Sequence, residues 1–203
     1  MKIIGLSGVA GAGKDLFYEL LSTQTSCKKF SLADELKREI TPYIKENFDI
    51  DPTSCSREEK NLIRPALVSH GTIKRKQTKG RYWIEKMQPL LKDFIFKSTL
   101  TNETPEYIVI TDIRYHEYRN DEVTWLKNEM KGDLVHISNF TMTHGKRKFL
   151  APANQEESRE NPKLLAQADY LVEWEKLTGE ETQVKNILIR DVIKDFLKWQ
   201  KKI

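Results

Sequence analysis

The chain has 203 residues, a formal net charge of +4, 32% charged and 38% hydrophobic residues, and two cysteines. That length suits a single domain, taken as 1–203, with most of its apolar surface buried. The mild positive charge falls short of the broad basic face of a typical nucleic-acid binder. Cys27 and Cys55 fit neither a disulfide framework nor a metal-ligand spacing. No apolar run approaches the ~20 residues that cross a bilayer. The N-terminus runs straight into a glycine motif instead of a signal peptide, so the cytoplasm is the expected location.

Residues 2–7 form a short apolar run ending beside glycine, as a buried parallel strand does. A helix follows over 16–21, with Leu16, Leu20 and Leu21 on one face. A second short strand is expected at 29–31 and a helix over 31–47, with Leu36, Ile40 and Ile44 aligned and Pro42 as a kink. Two further helices, 57–70 and 82–97, flank a glycine- and lysine-rich separator at 71–80. Residues 107–110 give the strongest strand signal, ended by Thr111-Asp112. A charged helix to about 130 and a strand over 133–137 come next. Residues 139–161 are polar, basic and without periodicity, which marks a functional loop or lid over about 139–162. A strand at 170–172 and an amphipathic helix over 184–201 close the chain. Strands alternating with helices imply a parallel sheet covered on both faces.

Gly8-Val9-Ala10-Gly11-Ala12-Gly13-Lys14-Asp15 matches G-x-x-x-x-G-K between an expected strand and an expected helix. There the loop amides and the helix N-terminus converge on phosphates, the glycines allow close approach, and Lys14 reaches the outer phosphates. Asp15 departs from the usual Ser or Thr, whose hydroxyl holds Mg²⁺; a carboxylate there can hold the ion directly or through water. A dinucleotide fold also uses a glycine-rich first loop, but calls for an acidic residue at the end of the second strand, where Lys29-Phe30-Ser31 stands.

The apolar run 107–110 ending in Asp112 has the pattern of a Walker B segment, which brings a carboxylate to the ligand-binding edge of a parallel sheet. The competing reading is a turn-capping aspartate. Arg114 lies on the same edge. Arg38 and Arg64 fall on the expected helices before Asp112, and Lys146, Arg147 and Arg159 in the long polar segment. Arginine forks are the counter-charges that phosphoryl transfer between two phosphorylated molecules requires. His70, His116, His136 and His144 have no metal spacing and read as structural or surface groups. The four tryptophans read as core anchors, with Trp83 the one placed to meet a ligand.

Taken together, these motifs resemble the bacteriophage-type deoxynucleoside monophosphate kinases, P-loop NTPases of the adenylate-kinase-like kind. Ser7-Gly8-Val9 through Gly13-Lys14-Asp15 is similar to their S-G-x-x-x-x-G-K-D loop, Leu32 through Lys37 to L-A-x-x-L-K, and Arg64 through Gly71-Thr72 to R-x-L-x-x-x-G-T. Tyr82-Trp83, the D-x-R of Asp112-Ile113-Arg114, and Ala168 through Val172 continue the likeness in order.

The resemblance implies a three-layer α/β/α fold with a central five-stranded parallel sheet, an acceptor-binding helical insert at about 31–100 and a lid. It also implies transfer of the ATP γ-phosphate to a deoxynucleoside monophosphate, with Mg²⁺ as companion ion. Gly8 through Leu16 would hold ATP, and Asp15 and Asp112 the metal. Lys14, Asp112, Arg114 and Arg147 would serve the reacting centre. Asp34, Lys37, Arg38, Arg64, Gly71, Trp83 and Arg114 would serve the acceptor. Animal phosphomevalonate kinases resemble the same G-K-D and D-x-R pattern and would change only the acceptor. A nucleotide-dependent nucleic-acid-binding or regulatory protein, with contacts at 74–81, is a third reading. The expected partners are small-molecule nucleotides, with no membrane and no obligate nucleic acid, in a monomer or homodimer.

Overall fold

A computed structural model describes residues 1–176 and 182–202. In chain order the elements are β1 (Lys2–Ser7), α1 (Lys14–Ser22), β2 (Cys27–Phe30), α2 (Leu32–Phe48), α3 (Arg57–Gln77), α4 (Tyr82–Leu100) and β3 (Tyr107–Ile110). There follow α5 (Glu122–Thr124), which runs into a π-helical turn at Trp125–Glu129, then β4 (Asp133–Thr143), β5 (Lys146–Phe149), α6 (Gln155–Gln167), β6 (Tyr170–Glu175) and α7 (Thr182–Gln200).

Five strands run parallel in the order β2-β3-β1-β4-β6. The expected parallel sheet is therefore present, with one addition. β4 continues past β1 and pairs there with β5 as an antiparallel hairpin, Phe140 opposite Phe149. Side chains of each strand alternate between two cores, as the two-residue period requires. Ile4, Leu6, Val109, Val135 and Val172 face α1 and α7, where they meet Phe17 and Phe196. Ile108, Ile110 and Leu134 face the other way, onto Ile84, Met87 and Leu91 of α4 and onto Trp125 and Leu126. These two cores make the three layers. A third small core, Ile40, Ile44 and Ile63, joins α2 to α3 outside the sheet and makes the helical insert a packed unit.

Three expectations are corrected. The 57–70 helix does not stop at Gly71; α3 runs on to Gln77. A Cβ on Gly71 would lie 2.5 Å from Leu36 Cδ1, so the glycine is there for close helix packing. Chain reversal comes later, where Lys79 and Gly80 take positive φ and the Gly80 amide bonds back to Arg75 O at 2.9 Å. The charged helix before 130 is only α5 and its π-helical turn; residues 111–121 are an extended loop. The region 139–161 is not irregular: it is the β4–β5 hairpin, a short link and the start of α6. Among the described residues no helix is long and apolar enough to cross a membrane.

Candidate active site

The loop between β1 and α1 takes positive φ at Gly8, Gly11 and Gly13. At Gly13 (φ 100°) a side chain would be strained, and its Cβ would also meet Trp174 Cζ2 at 2.5 Å. Trp174 braces the loop a second time by donating its indole N–H to Ala12 O at 2.9 Å. Asn139 on β4 donates its side-chain amide to Gly11 O at 2.9 Å. Lys14 donates to Gly8 O at 2.7 Å and Val9 O at 3.0 Å. Burial first, then the charge of Arg114, lowers the Lys14 ammonium to about 8. Leu16 is half-buried on α1, packed against the core beneath the loop.

Asp15 is 74% exposed and ion-paired to Lys29 at 2.6 Å; that hydrogen bond is the main reason its carboxyl lies below the usual range. Asp112 lies at the carboxyl end of β3. One of its oxygens accepts from the Leu32 amide (2.9 Å), the other from the Ser31 hydroxyl (3.0 Å) and the Ala33 amide (2.7 Å). It therefore caps a helix, but that helix is α2, across the sheet edge, and not the next turn. Three of about four lone-pair positions are used, which leaves Asp112 one for a ligand or a metal-bound water.

Two residues on, the backbone N–H of Arg114 donates to Glu122 Oε2 at 2.6 Å, and Tyr115 N–H to the same oxygen at 3.2 Å. Glu122 is buried, and that burial, with the nearby charge of Asp121, pushes its carboxyl up to about 8. The Arg114 guanidinium makes no hydrogen bond or ion pair among the described residues and borders the cavity below.

A cavity of about 410 Å³ joins the loop to the helical insert. It brings together Lys14, Asp15, Asp112 and Arg114 from the sheet edge with Asp34, Lys37, Arg64, Gly71 and Trp83 from the insert. Basic side chains that line it include Lys29, Lys37, Lys60 and Arg64. Of these, Lys37 pairs with Asp34 at 3.0 Å, and Arg64 bonds Asn61 at 3.2 Å. Its apolar lining, the slot, is Leu36, Leu67, Val68 and Trp83, with Thr72 and Arg75 also in the lining. Trp83 is fixed by its N–H to Gly71 O at 3.1 Å. Arg75, 2% exposed, is held by Asp121 (2.6 Å) and Glu117 (2.9 Å) and lies over the Tyr115 ring at 3.6 Å.

Four expected residues are not brought here: Lys146 is exposed on β5, Arg159 pairs with Glu160 at 3.0 Å, and Arg38 and Arg147 are held elsewhere. Arg38 points away on the outer face of α2, paired with Glu35. Arg147 stands on β5, paired with Glu173 at 2.9 Å and lying over the Phe140 ring. The 139–162 segment reaches the cavity through Asn154, Glu156 and Glu157 instead. The basic run at 74–81 is partly spent within the protein: Arg75 is buried, Lys74 lies over the Tyr82 ring and Arg81 pairs with Glu129.

Sequence reasoning missed Lys29, Lys60, Trp174, Asn139 and Glu157. Trp174 was within reach, since it follows Val172 by two residues on one strand face. Lys29, Asn139 and Glu157 depend on contacts 14 to 147 residues apart and leave no local pattern, and Lys60 is known only as part of the cavity lining.

No protein-family model and no curated protein matches this chain. Among solved structures it is similar to a dephospho-CoA kinase from Campylobacter jejuni (14% identity, 96% of this chain and 99% of that one, TM-score 0.45). It is also similar to TT1252 from Thermus thermophilus (14%, 93% and 96%, 0.39) and to a shikimate kinase from Acinetobacter baumannii in complex with shikimate (14%, 96% and 94%, 0.39). At these identities and TM-scores, neither the activities nor the substrates of those proteins extend to this chain.

Proposed function

We propose that this chain is an ATP-dependent phosphotransferase of the nucleoside monophosphate kinase type, which moves the ATP γ-phosphate to a deoxynucleoside monophosphate and yields the diphosphate and ADP. The observation that carries this reading is one cavity lined both by cationic groups suited to a phosphate and by an apolar slot suited to a ring. An acceptor with a phosphate and a planar ring has a place for each: Lys60 and Arg64 for the phosphate, Leu36, Val68 and Trp83 for the ring. Phosphomevalonate has no ring to fill the slot, so it is the second reading.

The loop residues fit a nucleotide's phosphates, because three glycines at positive φ and a half-buried lysine are otherwise a costly arrangement. Magnesium in such sites comes with the phosphates, keeps most of its water and neutralises charge on the transferred group. Asp15 and Asp112 are the carboxylates that would meet it, each already engaged by protein donors. Lys14 and Arg114 supply positive charge where negative charge grows. Nothing here calls for a strong general base.

The test is ADP release from Mg-ATP across dAMP, dCMP, dGMP, dTMP, hydroxymethyl and ribo analogues, and phosphomevalonate. Acceptor-dependent release with one or more nucleotides supports the reading and identifies the base. A response to phosphomevalonate alone overturns the acceptor. Silence across the panel, in a protein that binds ATP, overturns the nucleotide kinase assignment.

A further inference from the structure

The phosphate loop already holds an anion. The Ala10 amide, one of the donors a nucleotide phosphate would use, donates instead to Glu157 Oε2 at 3.3 Å. The same oxygen accepts from the Ala153 amide at 2.9 Å, and the Glu157 charge acts on Lys14. Glu157 sits in the first turn of α6, whose Asn154 cap accepts from the Glu157 amide at 2.9 Å. Among the described residues Glu157 forms no ion pair, whereas Glu160 on the next turn is paired with Lys163 and Arg159.

α6 is fastened over the loop by two more carboxylates. Glu156 accepts from the Tyr115 hydroxyl at 3.2 Å and Glu160 from the His116 amide at 3.2 Å, both in the strand-end segment that carries Arg114. From the hairpin side, Leu150 bonds Asn139 O through its amide at 2.9 Å and lies against Gly11.

We propose that Glu157 is a built-in phosphate surrogate: it occupies a donor of the nucleotide loop, the Ala10 amide, and must be expelled before a polyphosphate can take it. Two anions cannot share one amide cradle without repulsion, so ligand charge drives the exchange. Glu157 thus lowers nucleotide affinity, most for the most highly charged ligand, and its departure frees the first turn of α6 from the loop. This inference rests on the proposed ATP-binding role of the loop.

The experiment is calorimetric titration of native protein and of Glu157→Gln with Mg-ATP, ADP and adenosine. Glutamine keeps an oxygen for the Ala10 and Ala153 amides but removes the charge. The variant is expected to bind ATP about tenfold tighter, within the usual range for one group's influence on another's binding (about 5–150-fold). ADP should tighten less, and adenosine should not change. A contact that only supports the fold would not grade with ligand charge. If Glu157→Gln does not fold, Glu157→Ala carries the same expectation. Native protein that binds ATP, with a variant that binds it equally or more weakly, overturns this inference alone. Native protein that binds no ATP overturns the functional reading and this inference together.

Discussion

Replacing Trp174 with phenylalanine separates bracing of the phosphate loop from ordinary core packing. The indole is 5% exposed, lies against Gly13 and gives its N–H to Ala12 O at 2.9 Å. Losing that hydrogen bond costs about 1 kcal/mol, and the carbonyl left behind in a dry site adds to it. The smaller ring leaves a gap beside Gly13 and Phe17 that adds about 1–2 kcal/mol. The expected loss is about 2–3 kcal/mol, a large share of the ~5–15 kcal/mol typical of a domain. It should appear as a lower denaturant midpoint with an unchanged slope. Because Ala12 and Gly13 lose a fixed support, ATP affinity should fall about 5- to 10-fold, an energy of about 1–1.4 kcal/mol. A stability change under ~0.5 kcal/mol would refute the packing argument. A large stability loss with unchanged ATP affinity would make Trp174 a core anchor and nothing more.

Three further outcomes are expected. Lys14→Ala should retain less than ~1% of activity, because charge stabilisation at such sites is worth about 2.7–4 kcal/mol; a folded variant with near-normal turnover contradicts the loop assignment. Arg64→Ala should raise the acceptor KM by about 10- to 100-fold, the range for a lost charge-assisted hydrogen bond, and leave the ATP KM alone. Steady-state kinetics with each substrate varied in turn will separate the two. His136 is buried against Ser7 at 3.0 Å, and burial, then Lys14, lowers its pKa to about 4 from 6.5. Below pH 6.5 the unfolded chain takes up a proton that the folded chain refuses, so this residue costs stability as pH falls from 6.5 toward 4. Relative to His136→Asn, the native protein should lose about 2 kcal/mol between pH 7 and pH 5; parallel pH–stability curves would refute it.

Much of the framework was legible because its determinants are local. The glycines, the lysine and the flanking apolar runs announce the turn between β1 and α1, and the run at 107–110 announces a buried strand ending at Asp112. Where tertiary contacts override local preference, the reading failed. Gly71 looked like a helix end, yet Leu36 needs the space it leaves, so α3 continues. The polar stretch after 139 looked loop-like because β5 is exposed at every position and so lacks apolar alternation. Arg147 and Arg38 looked like site residues from their place in the sequence, but Glu173 and Glu35 hold them elsewhere, and no periodicity encodes such pairings. The converse holds for Lys29 and Glu157, whose roles depend on partners far along the chain: Asp15 for the lysine and Ala10 for the glutamate.

The central claim is that the phosphoryl group passes to an acceptor in the insert cavity and not to water. The most direct measurement is incubation with ATP labelled in its γ-phosphate, with and without each deoxynucleoside monophosphate, followed by separation of products. The account predicts label in a deoxynucleoside diphosphate, matched one for one by ADP, with little free phosphate. Label released as inorganic phosphate at the same rate with or without acceptor would contradict it.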